Sequence, residues 1–273
     1  MIWPFRSRPA KQIARLEISG AIAGGMRQRA LKALKTVEEK GFPALLLRID
    51  SPGGTVADSQ EIFNALKRLQ DKTAIVASFG NVSASGGVYV GMGAPHVVAN
   101  AGTITGSIGV ILRGNNLEGL LDKVGVSFKV VKSGPYKDIL AFDRELTPEE
   151  TDILQSLIDT SYQQFVDTVA EARHLAAETV KTFADGRIFT GQQAQALGVV
   201  DRLGSEEDAR RWAAELAGLD PEKASCVSVE EKKSPLARLL PGREEQRAAG
   251  QAAVDWLEFE LATSGQPLWL YRP

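Results

Sequence analysis

The chain has 273 residues, a formal net charge of −2, and 24% charged and 44% hydrophobic residues. This length suffices for one large domain, and the lack of a basic excess argues against nucleic acid as a partner. A single cysteine and only two histidines exclude an internal disulfide and a cysteine-rich metal site, so no metal or other cofactor is expected.

Residues 1–11 are predicted to form an N-terminal tail. The tail lacks the apolar run of a signal peptide, and no stretch of the chain has the roughly 20 apolar residues of a membrane span. Trp3 and Phe5 stand beside basic residues, so peripheral contact with a membrane surface stays open, with a frayed tail as the alternative. The expected location is cytoplasmic, or peripheral to the inner face of the membrane.

Apolar spacing predicts alternating strands and helices in the first third of the chain. The predicted strands are 13–18, 44–50 and 73–79, and the predicted helices between them are 26–40 and 57–70. This β-α-β-α-β order is typical of an α/β protein whose parallel sheet is connected by helical crossovers.

The remaining elements are predicted from shorter patterns. Helices are expected at 86–92, 117–123, 148–173, 177–183, 191–197 and 206–217, and strands at 96–99, 107–112, 126–132 and 199–201. Thr147-Pro148-Glu149-Glu150 is a helix start with Thr147 as N-cap. A linker (230–243) and a helix (244–262) should follow, and the apolar residues 267–271 must dock on the chain's own core or on a neighbouring subunit.

Residues 73–112 contain no charged side chain but eight glycines. Such a stretch is typical of a buried sheet where backbone or ligand approaches backbone closely. Ser83-Ala84-Ser85-Gly86-Gly87 lies at its centre, which makes Ser85 the principal candidate for a functional residue.

Two glycine pairs flank this serine at the predicted carboxyl edge of the sheet, where open α/β sheets bind ligands. Gly53 and Gly54 follow one buried strand, while Gly86 and Gly87 follow Ser85 itself. The N–H groups of Gly54 and Gly86 could form an oxyanion hole for acyl transfer, and Gly53 and Gly87 would let a substrate backbone come close.

A nucleophilic serine needs a base, and histidine is almost absent. A lysine held neutral by burial is the remaining candidate, and Lys137 follows the Gly134-Pro135 turn of a predicted loop. Sequence alone cannot pair residues 52 positions apart, so a Ser/Lys hydrolase is one hypothesis among several. Gly-x-Ser-x-Gly around Ser85, a P-loop and a dinucleotide-binding glycine pattern are all absent.

Six motifs in order make a resemblance specific. They are IDSPGG (49–54), SASGGVY (83–89), TGSIGV (105–110), SGPYKD (133–138), RELTPEE (144–150) and GRIFTGQQA (186–194), with LGVVD (197–201) after the last. Over residues 12–205 the chain resembles the signal peptide peptidase A (protease IV) family in its short, single-repeat form.

The resemblance implies a Clp/crotonase-like fold of repeated β-β-α units with a mainly parallel sheet, followed by a helical C-terminal extension over 206–273. It implies a serine endopeptidase with Ser85 as nucleophile, Lys137 as general base, and Ser107 as the hydroxyl that orients the lysine. Gly54 and Gly86 match the oxyanion-hole positions. Extended peptides, often signal-peptide remnants, are the implied substrates, and a ring-like homo-oligomer is the implied assembly.

Two features set this chain apart from the family. We expect no N-terminal anchor like that of the membrane-bound members, and Pro135 stands where many members have a charged or polar residue. Two rival functions stay open: a crotonase-like acyl-CoA enzyme, and a non-catalytic assembly scaffold in which the glycines serve packing.

Overall fold

The structure is a computed structural model that describes residues 11–230, 259, 263 and 265–271. The predicted β-α-β-α-β unit is confirmed. It comprises β1 (Gln12–Ser19), α1 (Gly24–Lys40), β2 (Ala44–Ser51), β3 (Gly53–Thr55), α2 (Val56–Leu69) and β4 (Ala74–Ala84).

Five further strands follow along the chain: β5 (His96–Ala99), β6 (Ile104–Gly106), β7 (Ile188–Thr190), β8 (Arg202–Leu203) and β9 (Ser225–Ser228). The strands form a mainly parallel sheet with the order β7-β6-β4-β2-β1-β9, and β5 pairs with both β4 and β8. The parallel pairing of β1 with β2 and of β2 with β4 places the carboxyl ends of these strands at one edge. The predicted α/β fold class is therefore confirmed.

Both faces of the sheet are covered, which explains the apolar runs at the start of β2 and of β4. Leu45 and Leu47 of β2 belong to the main core under α1, α2 and the long helix α5 (Pro148–Arg173). Leu46 points the other way and packs with Trp212 of α8 (Glu206–Leu216). The alternation follows from the two-residue period of a strand.

The helices after β4 follow the predicted pattern closely. They are α3 (Gly86–Gly91), α4 (Glu118–Val124), α5 (Pro148–Arg173), α6 (Ala177–Lys181), α7 (Gly191–Ala196) and α8 (Glu206–Leu216). Thr147 caps α5 as predicted, in a capping box with Glu150.

Several of the strand predictions were wrong. Residues 126–132 form no strand, and the strand predicted at 199–201 lies at Arg202–Leu203 instead. The strand expected at 107–112 ends earlier, at Gly106, and only Ile111 keeps a bridge, to Leu268. Residues 126–132 have the β-branched composition of a strand but no neighbouring strand among the described residues, and a lone strand is not stable.

The chain after residue 205 contributes to the sheet as well as to the helical layer. β9 pairs with β1 in parallel in the main sheet, and β10 (Leu268–Leu270) pairs antiparallel with β3 in a separate two-stranded sheet. Helices, a linker and an apolar docking segment were predicted here, but no strand. The predicted linker lies outside the described residues except for its first position, and the predicted helix lies outside them except for Phe259. The division into a tail, a peptidase domain and an extension stays a prediction.

Among the described helices, none combines the length and the apolar character needed to cross a bilayer.

Candidate active site

Ser85 lies between the end of β4 and the start of α3, at the carboxyl edge of the sheet. Its backbone N–H donates to the Gly106 carbonyl (2.8 Å), and its carbonyl accepts from Tyr89 N–H (3.0 Å). The end of β4 is tied sideways as well, because Ser83 Oγ donates to the Ile49 carbonyl at 2.6 Å. The serine therefore stands on a rigid strand-to-helix corner.

The backbone of Ser85 is strained. Its φ of 53° and ψ of −116° lie in a region that L-residues rarely occupy and that costs about 1–3 kcal/mol. The residue is 1% exposed, and among the described residues its Oγ is buried without a hydrogen-bond partner. Strain and an unpaired buried hydroxyl are unfavourable for folding, and such features concentrate at functional sites.

The predicted glycines meet beside this serine. A Cβ on Gly53 would lie 2.6 Å from the Gly86 nitrogen, and one on Gly86 would lie 3.1 Å from the Gly53 Cα. A Cβ on Gly87 would lie 2.9 Å from the Ser51 carbonyl oxygen. The β3 backbone and the first turn of α3 thus approach so closely that only glycine fits.

Asp50 supports the same edge, although the sequence analysis assigned it no role. Its carboxylate accepts hydrogen bonds from the backbone N–H groups of Asn81 (3.2 Å) and Val82 (3.1 Å). These bonds bridge the irregularity in the β2–β4 pairing that falls between Ile49 and Ser51. The carboxylate therefore fixes β4 relative to the glycine turn just upstream of Ser85.

The apolar residues near the end of the chain lie in the cleft beside these glycines. β10, which we call the docked strand, is hydrogen-bonded to β3 on one side. On the other side, Leu268 exchanges two backbone hydrogen bonds with Ile111, at 2.8 and 3.0 Å. Trp269 is completely buried. The expectation that this segment docks is confirmed, and it docks on its own chain.

Ser107 lies one residue beyond Gly106, whose carbonyl holds the Ser85 backbone. Its own N–H donates to the Arg187 carbonyl at 2.7 Å, and its φ of 50° is strained like that of Ser85. Ser107 and Leu270 both line a cavity of about 410 Å³. The cavity offers room for a further group next to Ser107.

Lys137 is not brought to Ser85 in this structure. Its side chain is exposed, within residues 113–147, which we call the base-carrying segment. No hydrogen bond of its side chain is found among the described residues, and the Ser85 hydroxyl has no partner there either. Whether the two residues form a dyad stays a prediction.

The base-carrying segment is nevertheless anchored right next to Lys137. Arg144 bridges the carboxylates of Asp138 (2.8 Å) and Glu150 (2.6 Å), and Lys132 binds Asp138 at 2.6 Å. The Arg144 guanidinium lowers the pKa of both Asp138 and Glu150 to about 2. The cluster ties the loop to the first turn of α5. Arg144 and Glu150 both lie in the RELTPEE motif, but the ion pair between them was not predicted from the sequence.

Neither histidine takes part in the site. His96 packs against Trp212 in a tilted arrangement with ring centroids 4.5 Å apart, and burial lowers its pKa. His174 ends α5 in a left-handed conformation. The described residues contain no group of metal-binding side chains.

Residues 67–220 match Peptidase family S49. A Synechocystis protein, named provisionally as a protease, is 68% identical over 278 residues that cover all of both chains. The chain is 37% identical to an Enterococcus faecium protein that bears the name signal peptide peptidase SppA provisionally, over 73% of this chain and 62% of that protein. It is 32% identical to the chloroplastic serine protease SPPA of Arabidopsis thaliana, over 79% of this chain and 32% of that protein.

Among solved structures, a ClpP1 mutant from Listeria monocytogenes is similar in fold, with a TM-score of 0.51 at 17% identity. The match covers 71% of this chain and 93% of that chain. This likeness confirms the predicted Clp/crotonase-like architecture, and the family match covers more than half of the chain. The chain belongs to peptidase family S49 and is a serine-type peptidase.

Proposed function

We propose that this peptidase is an endopeptidase that cleaves extended peptides with Ser85 as its nucleophile. One observation carries the proposal. A strained serine with a buried hydroxyl stands beside a cleft in which an extended strand is already hydrogen-bonded on both of its edges. Family membership favours this function over the acyl-CoA enzyme and the scaffold.

In the proposed reaction, Ser85 Oγ attacks the peptide carbonyl carbon while Lys137 takes up its proton. The Gly54 and Gly86 N–H groups stabilise the oxyanion of the tetrahedral intermediate. Lys137 then protonates the leaving amine, and water hydrolyses the acyl-enzyme by the reverse sequence of proton transfers. Ser107, beside the cavity, would orient the lysine amine.

The proposal requires Lys137 to leave its exposed position. A lysine acts as a base only when it is neutral, and burial is what favours the neutral amine. We therefore infer that the base-carrying segment closes over the site.

The surface of the base-carrying segment suggests what drives the closure. α4 has no buried residue, and apolar side chains are exposed at Leu120 (58%), Phe128 (52%) and Val131 (100%). Many of the large apolar side chains that the described residues expose fall within this one segment, and such a concentration of exposed apolar surface marks an interaction site. We propose that a second copy of the chain covers it, in a ring-like homo-oligomer.

The proposed substrates are extended peptides, including remnants of signal peptides, consistent with the names of the relatives. The cytoplasmic or membrane-peripheral location stays a prediction.

Labelling with a serine-reactive probe, followed by mass spectrometry, tests the nucleophile and the base together. We expect modification at Ser85 in the wild-type chain, none in Ser85→Ala, and strongly reduced labelling in Lys137→Ala. Lys129→Ala, in the same exposed segment, is the matched control and should label like the wild type. Full labelling or peptidase activity in Ser85→Ala would overturn the assignment of Ser85 as the nucleophile. The same result in Lys137→Ala would overturn the assignment of Lys137 as the base.

A charge in the apolar surface tests the assembly. Leu120→Glu should give a smaller particle in analytical ultracentrifugation and a loss of activity. Leu216→Glu, at a 43% exposed position of α8, is the control and should change neither. A wild-type chain that sediments as a monomer while fully active would refute the proposed assembly.

A further inference from the structure

The docked strand is held as a peptide substrate would be. Strand addition to an exposed edge supplies backbone hydrogen bonds for affinity, while pockets for alternate side chains supply specificity. The strand uses both edges, since β3 and Ile111 bind it from opposite sides. Its side chains therefore occupy the places where substrate side chains would lie.

The register shows which carbonyl faces the predicted oxyanion hole. Tyr271 N–H donates to the Pro52 carbonyl (2.7 Å), and Val56 N–H donates to the Pro267 carbonyl (3.5 Å). Hydrogen-bonded pairs alternate with non-bonded pairs in an antiparallel ladder. Tyr271 with Pro52 and Pro267 with Val56 are thus hydrogen-bonded pairs, and Trp269 with Gly54 lies two residues from each of them. This pair is therefore also hydrogen-bonded, and its Gly54 N–H points at the Trp269 carbonyl.

The same carbonyl lies close to the start of α3. A Cβ on Gly53 would meet the Trp269 oxygen at 1.9 Å and the Gly86 nitrogen at 2.6 Å. The Gly86 N–H is the first of α3 and has no acceptor within its helix. Trp269 thus stands where a substrate would place the residue on the N-terminal side of the bond to be broken.

The pocket that receives the Trp269 side chain is aromatic. Its ring stacks on Tyr89, with centroids 4.0 Å apart, and contacts Phe165 at 4.9 Å. Phe63 supports Tyr89 from behind at 5.1 Å. Among the described residues, the Trp269 indole nitrogen has no hydrogen-bond partner although it is buried. The pocket therefore accommodates a flat apolar ring, and the described residues that line it offer no acceptor to a polar one.

We infer that the peptidase cleaves after large apolar residues, phenylalanine above all, and that Tyr89 and Phe165 determine this specificity. The inference rests on the proposed function. The bond that breaks is the peptide bond between the carbonyl carbon of the residue in the Trp269 position and the backbone nitrogen of the following residue. Water supplies the hydroxyl group to this carbon and a proton to this nitrogen. Tryptophan fits the pocket but leaves its N–H unpaired, and a carboxylate would be buried without a partner.

A peptide series based on the docked strand tests the inference. The peptides share the sequence Pro-Leu-X-Leu-Tyr within quenched fluorogenic substrates, with X as Phe, Leu, Trp, Ala or Asp, and mass spectrometry identifies the cleaved bond. We expect cleavage after X, with kcat/KM for Phe at least about tenfold above that for Ala. Trp should fall about fivefold or more below Phe.

Pocket variants and a binding measurement complete the test. Phe165→Leu should reduce the Phe-to-Ala ratio, whereas Phe183→Leu, a buried aromatic that packs on Phe189 instead, should leave it unchanged. In the full-length Ser85→Ala chain, the Phe peptide should displace the docked strand and speed hydrogen exchange at the Leu268 and Tyr271 amides, and the Asp peptide should not.

The outcomes separate the two proposals. A wild-type chain that cleaves the Ala and Asp peptides as fast as the Phe peptide overturns the specificity but leaves the nucleophile assignment intact. Cleavage after Phe with no effect on the Leu268 amide overturns the claim that the docked strand marks the substrate position. A chain that neither cleaves any peptide nor labels at Ser85 refutes the proposed function itself.

Discussion

Gly53 is the position where the smallest addition should have the largest effect on the site. Its φ is +105°, and a Cβ there would lie 1.9 Å from the Trp269 oxygen and 2.6 Å from the Gly86 nitrogen. Both are backbone atoms, which cannot rotate aside as the end of a flexible side chain can. Gly53→Ala therefore conflicts with the docked strand and with the start of α3 at once.

The expected loss of stability has two contributions. An alanine forced into this conformation costs about 1–3 kcal/mol. The Trp269 carbonyl must also retreat, because ordinary van der Waals contact begins only at 3.4 Å. Retreat exposes the buried indole, and losing a buried Trp side chain costs about 3–5 kcal/mol. We expect the variant to release the strand and to lose about 3 kcal/mol or more in unfolding free energy.

Hydrogen exchange measures the release directly. The Leu268 and Tyr271 amides donate to the Ile111 and Pro52 carbonyls, and a change of about 3 kcal/mol corresponds to a roughly 100-fold faster exchange of such amides. Gly102→Ala is the control, since a Cβ there meets nothing within 4 Å. Wild-type protection of both amides in Gly53→Ala would refute the crowding on which the predicted oxyanion hole depends.

Two further predictions concern the scaffold around the site. Arg144 lowers the pKa of Asp138 from 3.8 to about 2 and the pKa of Glu150 from 4.5 to about 2. A carboxylate with a depressed pKa stabilises the folded state at pH values above its unfolded-state pKa, and this stabilisation disappears as the carboxylate is protonated. The anchor should therefore be lost as the pH falls from about 5 to 2. Hydrogen exchange over residues 138–150, corrected for its intrinsic pH dependence, should rise in that range, whereas Arg144→Met should already exchange fast at pH 6. Gly91→Ala would place a Cβ 2.5 Å from the Phe79 ring, and such overpacking should cost about 1–3 kcal/mol in chemical denaturation; an unchanged midpoint would contradict the packing seen at α3.

The sequence was most informative where local patterns and long-range packing agree. The apolar runs of β2 and β4 are buried on both faces, so their composition alone indicated a parallel sheet. The glycines around Ser85 were recognisable because close backbone approach excludes every larger residue. These two signals were enough to predict the fold class and the close backbone contacts around Ser85.

The failures concern contacts that composition does not encode. Residues 126–132 have strand composition, yet Val131 is fully exposed, because a strand needs a partner that local sequence cannot specify. The strand conformation of the docked strand was not predicted, for a related reason. Its partner β3 is only three residues long and lies over 200 positions away in the sequence. The position of Lys137 relative to Ser85 depends on a segment whose apolar surface is uncovered in a single chain.

The docked strand belongs to the same polypeptide as the cleft that it fills, and this link has a kinetic consequence. A tethered segment competes at an effective concentration of the order of millimolar, whatever the concentration of the protein. If substrates bind where the docked strand lies, as we propose, an incoming peptide must wait for the strand to leave, and dilution of the enzyme does not relieve the competition. Release of the strand would then limit turnover at low substrate concentration, and any binding partner that captures residues 267–271 would act as an activator without touching the catalytic groups.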